Sequence, residues 1–160
     1  SINGAPWSVT AEESAIEMAE EDAWERGDID LLNRVQAHEW LDGPRSQSGR
    51  VGGAVRELFL DMNAAVLRKP ELTQEEPSPE AWNRIDSVAA PTLLIVGDED
   101  FTALVDRHET LSETMPNAIG VVLEGAAHIP SIQKPGLVNS VLLQFLDAFS
   151  GGESDDETDD

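Results

Sequence analysis

Between Ala90 and Phe149 two short apolar runs each end in a chemically distinct turn, and their spacing leaves little choice of fold. The first, APTLLIVGDED, finishes in three carboxylates, Asp98, Glu99 and Asp100. The second, AIGVVLEGAAHIP, finishes at His128. Apolar positions run consecutively in both, which predicts strands over Thr92–Val96 and Ile119–Leu123 that are buried on both faces, as in a parallel sheet. The segment between them, Ala103 to Met115, has the length of a crossover helix, so the three pieces form a βαβ unit. Reactive groups in open parallel sheets collect on loops at the carboxyl ends of the strands. Neighbouring strands lie about 5 Å apart, so one of the three acids can reach the histidine through short loops. A carboxylate that accepts the imidazole N–H fixes the tautomer and frees the other ring nitrogen to act as a general base. The plainer alternative is a strand-end histidine bonded to backbone, beside three solvated acids.

The rest of the chain reads as helices. Thr10-Ala-Glu-Glu13 has the form of a capping box and opens a helix to about Arg26, closed by Gly27, with Ile16, Ala19, Ala23 and Trp24 inward. Asp28 caps a second helix, with Leu31, Leu32, Val35 and Trp40 inward. Gly43 to Gly53 is a Gly- and Ser-rich loop. A third helix is expected from Ala54 to Arg68, its stripe formed by Val55, Leu58, Phe59, Met62, Ala65 and Val66, stopped by Pro70. Glu71 to Pro77 reads as a linker, and Ser78-Pro79 as the start of a short helix holding Trp82 and Ile85. A terminal helix from Leu137 to Phe149 places Leu137, Val138, Val141, Leu142, Phe145 and Phe149 on one stripe, expected to pack on the sheet. The last ten residues, GGESDDETDD, hold six acids and no apolar anchor and read as a solvated tail. The expected organisation is therefore a helical region over 1–77, a sheet-bearing segment over 78–150 and an acidic tail over 151–160.

The formal net charge is −22, which opposes nucleic acid or anionic lipid as a partner. With only two lysines, Lys69 and Lys134, the balance fits either a high-salt cytoplasm, where screening removes self-repulsion, or an ordinary acidic protein. There is no cysteine, which excludes disulfides and thiolate chemistry. No apolar run approaches the ~20 residues that span a bilayer and no leader pattern precedes the first helix, so a cytoplasmic setting is expected. His38, His108 and His128 lack metal-ligand spacing, so no metal is expected. His108, inside the charged stretch DRHET, reads as an exposed helix residue. His38 lies beside Trp40, where it could touch a ligand; Trp7, Trp24 and Trp40 read as helical-region core.

PTLLIVGDED followed by GAAHIPSIQKPGLVNSVLLQFL resembles the C-terminal half of the α/β-hydrolase fold, in the branch of enol-lactonases and esterases. The resemblance implies an α/β architecture in which residues 10–69 correspond to a helical cap. It implies that the catalytic acid, three positions beyond the strand-ending Gly97, is Asp100, and that the histidine of the small-small-His motif is His128. It further implies serine-type hydrolysis of an ester, lactone or related small carbonyl substrate, without a cofactor. The sequence departs from the family in one large respect: it has no G-x-S-x-G elbow, and neither G-x-D-x-G nor a cysteine replaces it. The chain thus reads as an acid and a base awaiting a nucleophile from a missing N-terminal half; the expected partner is that half, or a second copy that covers the exposed sheet edge. The alternative is a non-catalytic remnant or subunit that binds a partner or ligand through its cap.

Overall fold

The computed structural model describes residues 5, 7–69 and 81–150. The linker from Glu71, the Ser78-Pro79 helix start and the acidic tail lie outside the described residues.

The first helix, α1 (Ala11–Glu25), begins at the expected capping box. The Glu13 amide donates to Thr10 Oγ1 at 3.2 Å, and the Thr10 amide donates to Glu13 Oε2 at 2.7 Å. Two of the orphan amides of the first turn are thereby satisfied. Ile16 and Ala23 face inward, but Trp24 is half exposed rather than core. Asp28 caps α2 (Ile29–Ala37) through the Leu31 amide, at 2.9 Å. The sequence reading carried this helix through Trp40. Instead it widens at His38 into a π-helical turn, His38–Asp42. The wider turn rotates the following residues off the α2 stripe, which buries Leu41 and Asp42 and leaves Trp40 against the sheet-bearing segment.

Helix α3 (Gly53–Leu67) packs on α2 and buries Phe59 with Ala37 and Leu41. Its predicted stripe is only partly used: Leu58, Met62 and Val66 remain exposed. A short 3₁₀ turn, Trp82–Ser87, leads into the sheet.

Strands β1 (Thr92–Gly97) and β2 (Ala118–Leu123) pair in parallel, from Thr92 opposite Ala118 to Gly97 opposite Leu123. Helix α4 (Thr102–Thr114) joins them and packs on both, completing the βαβ unit. Burial on both faces is not what the structure shows. Ile119 and Val122 are about half exposed, at 47% and 54%. The sheet among the described residues has two strands, β1-β2, so one face is covered by the crossover helix and the other is largely open.

After β2 the chain makes a one-turn helix, α5 (Pro130–Gln133), and enters α6 (Pro135–Ser150). Val138, Val141 and Phe145 are half-buried, whereas Leu137, Leu142 and Phe149 on the same stripe are exposed. The expected packing of this stripe on the sheet is therefore incomplete, since two strands offer too narrow a surface to cover it.

Candidate active site

Gly97 ends β1 where the chain runs against the loop that follows β2. A Cβ at Gly97 would collide with the carbonyls of Ala126 and Ala127, so only glycine lets the two loops approach this closely. The contact is sealed by the Glu99 amide, which donates to the Ala126 carbonyl at 3.0 Å.

The three acids after Gly97 take three different partners. Asp98 Oδ1 accepts the Gly125 amide at 2.6 Å and so pins the turn after β2. Glu99 Oε2 accepts the Ser46 hydroxyl at 2.7 Å. Asp100, only 4% exposed, meets His128: its Oδ2 and Oδ1 lie 3.0 and 3.2 Å from Nδ1. The Phe101 amide also donates to Asp100 Oδ1, at 2.9 Å. A carboxylate has only lone pairs to offer, so Nδ1–H donates, and in the neutral imidazole Nε2 then keeps its lone pair.

His128 is held from a second side by the helical region. Its amide donates to the Trp40 carbonyl at 3.2 Å, and the Trp40 ring lies 4.6 Å from the imidazole, inclined by 56°. Trp40 also touches buried Phe101, at 5.3 Å between ring centroids. The Ala127 amide donates to Gln133 Oε1 at 2.8 Å, and Gln133 Nε2 donates to the Leu41 carbonyl. The histidine loop is thus fixed to both α5 and the π-helical turn. The imidazole still reaches solvent, since the His128 side chain is 42% exposed.

A cavity of about 200 Å³ opens between β1 and α4, lined by Leu94, Ile95, Val96, Leu104 and Leu111 with Asp100, Arg107, His108 and His128. His108 is not the exposed helix residue expected: it turns toward β1, with Nε2 3.3 Å from the Leu94 carbonyl, and lines this cavity. His38 is engaged elsewhere, with Nε2 2.8 Å from the Ser46 carbonyl, and is absent from that lining. Trp7 is half exposed but its ring meets Phe101 at 5.8 Å, with the Arg107 guanidinium 5.4 Å above it.

Three buried carboxyls in the helical region, Glu13, Glu39 and Asp42, escaped the sequence reading as buried groups. Burial alone would raise the pKa of Glu13, but the amides of Thr102 and Thr10 and the charge of Arg45 outweigh it and hold the carboxyl below its ordinary value. Glu39 is 3% exposed, and its Oε2 has no hydrogen-bond partner. Burial, together with Glu20 and Glu17 on α1, pushes its pKa up to about 8. Glu13 was legible only as a capping residue, and nothing in its spacing indicated a second role. For Glu39 the available signal was a glutamate one position before an inward tryptophan.

No protein-family model matches the chain, and no curated protein does. Solved structures do. A serine hydrolase from the polyaromatic-hydrocarbon-degrading bacterium Cycloclasticus zankles superposes with a TM-score of 0.60 at 16% identity, over 94% of this chain and 54% of that one. A thermophilic esterase from Thermogutta terrifontis gives 0.60 at 17% identity, over 91% and 53%. MenH from S. aureus gives 0.58 at 16% identity, over 88% and 55%. The chain spans about half the length of the structures it matches. Helices, a small parallel sheet and strand-end loops in this arrangement are the C-terminal portion of an α/β-hydrolase fold, which the chain carries in part.

Proposed function

We propose that the chain supplies the acid and the base of a serine-type hydrolase acting on an ester, lactone or related small carbonyl compound. The observation that carries this reading is the Asp100–His128 hydrogen bond at two adjacent strand ends, beside an apolar cavity. In the proposed reaction His128 Nε2 takes the proton of a serine hydroxyl as the hydroxyl attacks the carbonyl carbon. Asp100 stabilises the imidazolium that results, and the proton passes to the leaving alcohol. A second cycle with water releases the acid. The chain has no G-x-S-x-G elbow, so the serine comes from a nucleophile-bearing half that adds to the edge of β1 not paired with β2. The helices before β1 serve as a cap, with Trp40 as its contact to the histidine.

Turnover of a p-nitrophenyl ester tests the proposal. The purified chain alone is expected to be inactive. The product extended upstream along its coding region is expected to hydrolyse the ester and to lose orders of magnitude in kcat with either His128→Ala or Asp100→Asn. Near wild-type turnover in either variant removes that residue from the mechanism. A second reading, a non-catalytic subunit that binds a partner through its cap, is favoured by the missing elbow. Absence of any turnover in the extended product would select it.

A further inference from the structure

We propose that Arg45 is a positioning residue for Asp100, acting as a tether from the helical region onto the backbone of the acid loop. This rests on the reading of Asp100 and His128 as a working pair. The loop that carries Arg45 is built around a buried carboxylate. Asp42 Oδ2 accepts the Gly49 amide at 2.7 Å, its Oδ1 accepts the Val51 amide at 2.8 Å, and Arg56 pairs with the same carboxylate. Arg50 closes the loop by donating to the Asp42 carbonyl at 2.6 Å, and reaches Gly125 in the turn after β2 at 3.0 Å.

From this fixed base Arg45 Nη2 donates to two carbonyls of the acid loop, Asp98 at 3.1 Å and Asp100 at 3.0 Å. Behind it lies Glu13, fully buried, whose Oε1 stands 4.0 Å from Arg45 Nε and accepts the Thr102 amide at 2.6 Å. Thr102 opens α4, two residues beyond Asp100. The guanidinium and the carboxylate therefore grip the acid loop on both sides of Asp100. Gly43 makes the approach possible: its φ is 97°, and a Cβ there would collide with the Glu99 carbonyl. The two N–H groups of Nη2, fixed in the guanidinium plane, give one donor to each carbonyl, whereas an ammonium on a flexible stem holds them less firmly. With both carbonyls tied, the backbone that carries Asp100 is fixed where its carboxylate meets the Phe101 amide and Nδ1.

Hydrogen exchange with proton NMR on this chain tests the tether without need of turnover. In Arg45→Met the Phe101 amide, which bonds Asp100 Oδ1, is expected to exchange at least ~10-fold faster, while the Leu94 amide, which the alternation of the parallel ladder turns toward β2, keeps its rate. The Nδ1–H resonance of His128 should broaden in parallel, and Arg45→Lys should restore part of both effects. An unchanged Phe101 rate overturns the proposal. So does an equal acceleration at Leu94, which would mark a merely structural role. Should Arg45→Met fail to fold, Arg45→Lys is read alone, with an expected increase of about threefold at Phe101 and the same overturning results. A wild-type chain with no His128 Nδ1–H resonance would count against the acid–histidine pair of the proposed function, while the tether would still be judged on Phe101.

Discussion

Glu39→Gln exchanges a buried carboxyl for an amide of nearly the same shape, and the melting temperature as a function of pH reads the difference. Glu39 sits in the π-helical turn, one residue before the tryptophan that contacts His128. Burial first, and then Glu20 and Glu17, raise its pKa from 4.5 to about 8. The folded chain therefore holds a proton that the unfolded chain has already released above pH 4.5. Each pH unit in that interval costs the folded state about 1.4 kcal/mol, so stability falls as pH rises and levels off beyond about 8. Integrating between pH 6 and pH 8 gives a loss of about 2 kcal/mol, or roughly 4–8 °C in melting temperature for a chain of this size. The amide cannot ionise, so the variant should lose this component. The three histidines and the general charge repulsion are common to both proteins and cancel in the difference. Differential scanning calorimetry across pH 5.5–9 at fixed salt supplies the two curves. Parallel curves would refute the reasoning, because they would mean that Glu39 is ionised in the folded state or that water reaches it.

Glu13→Gln should act at the opposite end of the pH range. A carboxyl held below its ordinary pKa stabilises the fold above that ordinary value, near 4.5, and the stabilisation is lost as pH falls through the depressed value. The wild-type acid limb should therefore be steeper than that of the variant, and equal limbs in acid melts would sink this assignment. Gly43→Ala combines a positive φ with a backbone collision and should cost several kcal/mol, visible as a much lower denaturation midpoint; a change under ~0.5 kcal/mol would show that the loop yields freely. The half-exposed stripe of α6 and the open face of β2 should make the isolated chain self-associate, more so in molar salt, which screens the −22 charge; a monomer by light scattering at both salt levels would refute this.

Much of this architecture is written locally in the chain. The capping box at Thr10–Glu13, the Asp28 cap and the runs of apolar residues in TLLIV and IGVVL specify helices and strands through contacts within a few residues. The order strand, helix, strand then forces a parallel pair, and a parallel pair brings the loops after Gly97 and Leu123 to one edge. Hence the meeting of an acid with His128 is legible in the sequence. Which acid it would be was not fixed by spacing, since Asp98, Glu99 and Asp100 are chemically alike and adjacent. The family resemblance pointed to Asp100, and the folded loops supply the physical sorting, sending Asp98 to Gly125, Glu99 to Ser46 and Asp100 to the imidazole. The same limit applies to the π-helical turn, where one residue of extra rotation carries Trp40 from a helix stripe onto His128. It applies as well to Glu13, a local cap by sequence and a long-range acceptor in space, 89 positions from the amide it binds. Burial of β1, β2 and α6 was misjudged for a related reason. Side-chain pattern records how much cover an element requires, whereas the cover it receives depends on the surfaces that tertiary packing brings against it.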